Sequence, residues 1–344
     1  MRGRWCALTT HSALISYRGA KHQSAGRRTM LHEGDGRCEA PIKRCAVTVL
    51  LLHGIADPMF KPNSRTLVLK EMVRAVVPGS MIAFALEARE VYRFAVTPRM
   101  AFDPTALRAQ ATVDLSAILQ DGGVDAAWAI DHVEIAESFG RDDRFGGVNP
   151  GDRRALYYLI RALRPRRVLE VGTHIGASTL YIARALRANG EGSVVTVDIT
   201  DVNDSVLGAW RSVGQRMSPR SFAQELGCSD RITFVVSTSQ QFLATSAESF
   251  DLIFLDGDHA AHTVYGEISR SLVALSASGT IVLHDFYPNG KALYPRDRAI
   301  LGPYRALARI EREEPRLVVR PLGALPWETK QGTRETSLAL IMRR

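Results

Sequence analysis

Residues 168–178, VLEVGTHIGAS, hold a short apolar run, two glycines four positions apart and a serine that opens a helical pattern. A continuous apolar run of this length suits a strand buried on both faces of a parallel sheet. Gly172 lets the chain turn tightly and lets another group approach the backbone closely. The helix beyond Gly176 starts with N–H groups that have no partner inside it. Strand, glycine turn and helix in this order form the opening unit of a doubly wound α/β sheet.

Outward from this unit the order stays regular. Asn149-Pro150 opens a preceding helix, Leu156, Leu159, Ile160 and Leu163 share one face, and Pro165 ends it. The helix from Ser178 to Ala188 stops at Asn189-Gly190. Further strands are expected at Val194–Ile199, Ile232–Val236, Leu252–Leu255 and Thr280–Leu283, with helical patterns between them, clearest in Val264, Ile268, Leu272 and Leu275. Leu317–Leu322 and Ser337–Met342 have only a loop with Pro326-Trp327 between them and pair most simply as an antiparallel hairpin. The fold class is α/β and Rossmann-like: a mostly parallel seven-stranded sheet with a C-terminal antiparallel hairpin, behind an N-terminal, mainly helical region.

That N-terminal part divides in two. Residues 1–45 carry nine Lys/Arg against three acids, so +6 of the total charge of +8 lies there and the body is nearly neutral. This segment reads as a basic, disordered tail; a transit peptide, or an unused upstream start with Met30 as the true one, are the alternatives. Residues 46–146 read as a helical cap, with amphipathic patterns at Leu67–Val77, Ala83–Phe94 and Pro104–Leu119; Trp128, His132 and Glu134 read as packing or surface residues. Residues 147–344 form the cofactor-binding domain. The apolar run starting at Ala46 is too short to span a bilayer and reads as a buried strand. With no basic stripe in the body, nucleic acid and membrane are not expected partners. The four cysteines lack metal-ligand spacing and read as free thiols of a reducing, cytoplasmic compartment. Dimerisation through the cap or the hairpin is compatible with the pattern.

Asp198 ends the second strand, where an acid can accept hydrogen bonds from both ribose hydroxyls of an adenosine ligand. A dinucleotide would seat its pyrophosphate on the glycine turn. Glu170 at the end of the first strand opposes that negative charge and suits a ligand with an ammonium and a sulfonium, which favours S-adenosylmethionine over NAD. Phe254-Leu-Asp256-Gly-Asp258-His259 and His284-Asp285-Phe286 end the fourth and fifth strands, so Asp256, Asp258, His259, His284 and Asp285 should converge at the carboxyl edge. A histidine there suits removal of a hydroxyl proton, and carboxylates suit a Mg²⁺-type ion. Asp256 also fits a strand-end cap and His259 a helix start. Tyr265 and Glu267 on the next helix read as structural or solvent-facing.

The segments GGVNPGDRRALYYLIRAL, VLEVGTHIGAST, VDITDVND, FDLIFLDGDHAAHTVYGEI and GTIVLHDF together resemble the class I S-adenosylmethionine-dependent methyltransferases, nearest a bacterial subfamily of small-molecule O-methyltransferases and cephalosporin-hydroxylase-like proteins. The resemblance covers about 200 residues. It implies that Glu170, Gly172, Thr173, Gly176, Ser178, Asp198, Ile199 and Asp256 contact S-adenosyl-L-methionine. It implies Asp256 and Asp285 as ligands of Mg²⁺ or another divalent metal, with His284 replacing a third ligand because Phe286 stands where the family has Asn. His259, with Asp258 beside it, becomes the catalytic base, and a small-molecule methyl acceptor the partner. His174 departs from the family, which often has a glycine there. The acceptor reads equally as a sugar, polyketide, phenol or amine. A hydroxylase-like or NAD-dependent oxidoreductase and a non-catalytic cofactor-binding module are the competing functions.

Overall fold

The computed structural model describes residues 79–100, 114–139 and 147–343. The strand expected from Ala46, the helix Leu67–Val77, most of Pro104–Leu119 and the tail 1–45 lie outside these. The chain divides into two compact units, residues 1–89 and 90–344. Helix α1 (Gly79–Val96), expected as Ala83–Phe94, runs across the division, and α2 (Leu115–Leu119) is the described end of the third expected helix. Helix α3 (Gly122–Phe139) was not marked by apolar spacing, because Ile130 and Val133 are exposed opposite the face that buries Val124, Trp128 and Ile135. No helix among the described residues is long and apolar enough to cross a membrane.

From α4 (Pro150–Leu163) onward the chain alternates as expected: β1 (Arg167–Val171), α5 (Ala177–Asn189), β2 (Ser193–Asp198), α6 (Ala209–Ser212), α7 (Pro219–Glu225), β3 (Ile232–Val236), α8 (Ser239–Thr245), β4 (Phe250–Leu255), α9 (Ala261–Ala274), β5 (Leu275–Leu283), α10 (Leu301–Glu313), β6 (Leu317–Pro321) and β7 (Ala339–Arg343). Asn149 caps α4 by accepting from the Asp152 N–H at 3.0 Å, Pro150 fills its first turn, and Arg164 ends it in the left-handed region just before Pro165.

The strands form one sheet in the order β3-β2-β1-β4-β5-β7-β6. The first five are parallel, and β7 lies antiparallel between β5 and β6. The chain order reverses between β1 and β4, which leaves a crevice at their carboxyl ends. Alternation divides the side chains between two cores. Val168, Val194, Leu252, Phe254, Val282 and Leu340 meet residues of α3, α4, α5 and α7 on one face. Leu169, Val197, Ile253, Leu255, Ile281 and Ile341 meet α9 and α10 on the other. Each such side chain, fully buried, stabilises the fold by about 1.5–3 kcal/mol, and together these layers hold the strand ends in fixed positions.

Two acids sit inside these layers. Glu170 shares the face of Val168, has no exposed surface and accepts hydrogen bonds from Ser178 Oγ, Thr179 Oγ1 and Thr196 Oγ1 at 2.5, 2.5 and 2.7 Å. Burial pushes its carboxyl up to about 7 against these hydroxyls, and Asp256 adds to the rise. Glu267 on α9 is buried, whereas sequence left solvent exposure open, and it accepts from Ser239 Oγ at 2.5 Å. Tyr265 is buried as well, and its hydroxyl donates to Glu313 and accepts from the Met100 N–H.

Burial pushes the Glu267 carboxyl up to about 8, against the Ser239 hydrogen bond and helped by Asp258. Between about pH 4.5 and 8 the unfolded chain releases this proton while the fold keeps it, so the contribution to stability is full at low pH and declines as pH rises through that window. Glu267→Gln keeps an acceptor for Ser239 and removes the titration. Its thermal midpoint should fall less than that of the wild type from pH 5 to pH 8; parallel curves would show that Glu267 is ionised in the fold.

Candidate active site

The glycine turn joins three strand ends. Gly172 donates its N–H to Val197 O at 2.9 Å, and the Asp256 N–H donates to Val171 O at 2.9 Å. Gly172 has φ +95°, and a Cβ there would lie 2.2 Å from the carbonyl oxygen of Asp256. The close approach that demands glycine is therefore made by the chain itself. Gly176, at φ +80°, precedes α5 and leaves its first N–H groups without a side-chain cap.

Asp198 stands beside this turn. Its Oδ2 accepts from the His174 N–H at 3.0 Å, and its Oδ1 accepts from Thr200 N and Oγ1, each at 3.1 Å. His174 holds φ +49°, a region that favours glycine. The next residue, Ile199, is 68% exposed, and Val236 at the end of β3 is 59% exposed, so two apolar side chains flank Asp198 on the rim. Glu170, Thr173 and Ser178, expected to contact the cofactor, have buried side chains next to the turn. Thr173 Oγ1 meets Thr196 Oγ1 at 2.6 Å and Ser178 donates to Glu170.

The carboxyl ends of β4 and β5 bring the expected acids and imidazoles together. His284, buried, has Nδ1 2.8 Å from Asp256 Oδ1 and 3.6 Å from Asp285 Oδ1, and Nε2 3.2 Å from Asp152 Oδ2. Although burial opposes a charge there, Asp256, Asp285 and Asp152 hold the imidazole well above its ordinary value. Asp285 adopts φ +55°, a strained conformation of the kind found at functional sites. One ligand atom from each of Asp256, His284 and Asp285 lies within 4.8 Å of the others, a spacing that fits a single cation. His259, half-exposed, has Nε2 3.4 Å from Asp285 Oδ2. Asp258 is turned to its own loop, accepting from Ala260 N at 3.2 Å and Thr263 Oγ1 at 2.7 Å, and so braces the segment that carries His259.

Sequence reasoning passed over two acids. Asp152, fully buried in the first turn of α4, faces His284 from behind. Glu90 on α1 accepts from the Ala261 N–H at 2.5 Å and so supplies the cap that Ala260 cannot give α9, just beyond His259. The residues of α3 pack away from the rim, as expected: Trp128 stacks on His132 and Tyr181 at 4.8 and 5.2 Å, and Glu134 pairs with Arg184.

Residues 169–286 match a family model described as a methyltransferase domain. A putative O-methyltransferase of Mycobacterium sp. (strain JLS) is 29% identical over 182 residues, 52% of this chain and 76% of that protein. A catechol O-methyltransferase of Mycobacterium tuberculosis is 29% identical over 185 residues, 53% of this chain and 77% of its own length. A solved structure of the O-methyltransferase from Bacillus cereus in complex with SAH is 21% identical, covers 65% of this chain and 92% of its own, and superposes with a TM-score of 0.43. Over the segment that carries both halves of the rim, this chain is similar to a methyltransferase domain and to mycobacterial O-methyltransferases.

Proposed function

We propose that the chain moves the methyl group of S-adenosylmethionine to a hydroxyl of a small molecule. The observation that carries this reading is the placement of Gly172 and Asp198 on adjacent strand ends, one strand away from an imidazole–carboxylate group on the same rim. Beyond the three hydrogen bonds it accepts from His174 and Thr200, Asp198 keeps one acceptor site on Oδ2 for a ribose hydroxyl, and rotation of the Thr200 hydroxyl frees a second on Oδ1. Ile199 and Val236 offer apolar contact for the adenine, and the uncapped N–H groups of α5 face an anion such as the methionine carboxylate. S-adenosylmethionine supplies a methyl group on a positively charged sulfur, so the protein's task is to align and deprotonate the acceptor.

His259 serves as the base. Asp285 beside Nε2 favours the tautomer with its proton there, which leaves the Nδ1 lone pair to take the acceptor's hydroxyl proton. Asp256, His284 and Asp285 would hold a divalent cation, which lowers the pKa of an acceptor oxygen bound to it. A phenol, sugar or polyketide hydroxyl fits this chemistry.

Asp198→Ala removes hydrogen bonds to a charged acceptor worth about 1.5–3 kcal/mol, so calorimetry should show S-adenosylmethionine binding weakened roughly ten- to a hundred-fold; unchanged affinity would reject the ribose assignment. His259→Ala should lower turnover of an acceptor found in a phenol, sugar and polyketide panel by about 10²–10⁴-fold, with cofactor affinity nearly intact; full turnover would take His259 out of the mechanism. EDTA should abolish that turnover and Mg²⁺ restore it, and indifference to EDTA would remove the cation.

A further inference from the structure

We propose that Asp152 is a positioning residue that fixes which nitrogen of His284 faces Asp256 and Asp285. The inference rests on reading those three residues as a divalent-cation site. Asp152 has no exposed surface, so it acts through other groups and never touches a substrate. Its Oδ1 accepts from Thr336 Oγ1 at 2.5 Å, and its Oδ2 accepts from Asn149 Nδ2 at 2.7 Å. Both neighbours are donors, so the carboxylate acts as an acceptor throughout, and the ring nitrogen facing it, Nε2 at 3.2 Å, carries its proton. Nδ1 is thereby turned to Asp256 and Asp285, and it is the nitrogen whose proton a cation between those carboxylates would displace.

A half-turn of the ring would set carbon atoms against Asp152 and Asp256 at once and leave buried acceptors without donors. The orientation is thus locked from both sides. Asp152 is itself held by two separate parts of the chain. Asn149 and the first turn of α4 fix it on one side, and Thr336, which also accepts from the Leu338 N–H at 3.0 Å just before β7, fixes it on the other. A metal-ligating histidine generally gives its second ring N–H to a carboxylate, and loss of that partner typically weakens metal binding 10–100-fold. Asp152 stands in that relation to His284.

The test uses full-length protein carrying ¹⁵N-labelled histidine, with the His284 signals assigned by their absence in His284→Gln. In the metal-free wild type the Nε2 proton of His284 should exchange slowly with solvent. Asp152→Asn should lose that protection and bind Mn²⁺ about 10–100-fold more weakly in calorimetry, while S-adenosylmethionine affinity stays within twofold. An unchanged ring-proton signal together with unchanged Mn²⁺ affinity would overturn the assignment. If the wild type binds no Mn²⁺, the cation reading fails by itself, and the ring proton still decides the role of Asp152. If Asp152→Asn does not fold, the wild-type signal decides, because a rapidly exchanging Nε2 proton would overturn the proposal.

Discussion

A side chain at residue 172 would have to share space with the carbonyl oxygen of Asp256, at 2.2 Å. This approach of one backbone to another is the constraint from which the rim follows. It lets the turn after β1 settle onto the end of β4, so that the Gly172 N–H reaches Val197 and the Asp256 N–H reaches Val171. Three strand ends are then level, with Asp198 on one side of the glycine and Asp256 on the other. Close approach of a ligand, the role that the sequence suggests for Gly172, is secondary to closure of the chain on itself. The features proposed to face the ligand, the N–H groups of α5 and the Asp198 carboxylate, are consequences of where that closure leaves them.

The same closure crowds carboxylates at the low-dielectric end of a buried sheet. Asp152, Asp256 and Asp285 surround the single imidazole of His284, and Glu170 is buried with hydroxyls rather than a cation for partners. Buried charges need compensation. His284 supplies it for the three aspartates through a pKa held well above the ordinary value, whereas Glu170 has no such partner and is pushed up to about 7. Asp256 contributes to that rise, so a positive group placed against Asp256 would relieve it. A sulfonium and a divalent ion are both groups of that sign. The charge that favours the proposed cationic ligand is therefore that of the whole rim, and only indirectly that of Glu170, whose carboxylate meets its own scaffold.

The sheet was legible in the sequence because parallel strands buried on both faces read as short unbroken apolar runs, and all seven lie within a few residues of their expected places. The convergence of Asp256, His259, His284 and Asp285 follows from their positions at strand ends, whereas the strand order is supplied by the structure. The facing of side chains was harder to read. Glu170 shares the parity of Val168, which points it at the hydroxyls of α5, and pairing Ser178 and Thr179 with that face would have shown it buried. Asp152 and Glu90 gave no local signal, because their partners His284 and Ala261 lie 132 and 171 positions away in the chain. Such contacts are created by packing and leave no periodicity behind.

That distance bears on how the site is assembled. The segment matching the methyltransferase domain, residues 169–286, holds the glycine turn, Asp198 and the groups at the ends of β4 and β5. It does not hold Asp152, Thr336 or Glu90. The rear of His284 is closed by the first turn of α4 and by the approach to β7, and the helix that follows His259 is capped from α1. A bare central sheet would present His284 with its Nε2 proton unpartnered and α9 with an open N-terminus, each costing on the order of 1 kcal/mol or more. Chemistry-bearing residues thus come from the shared core, while the groups that hold them in register come from flanking segments outside the match.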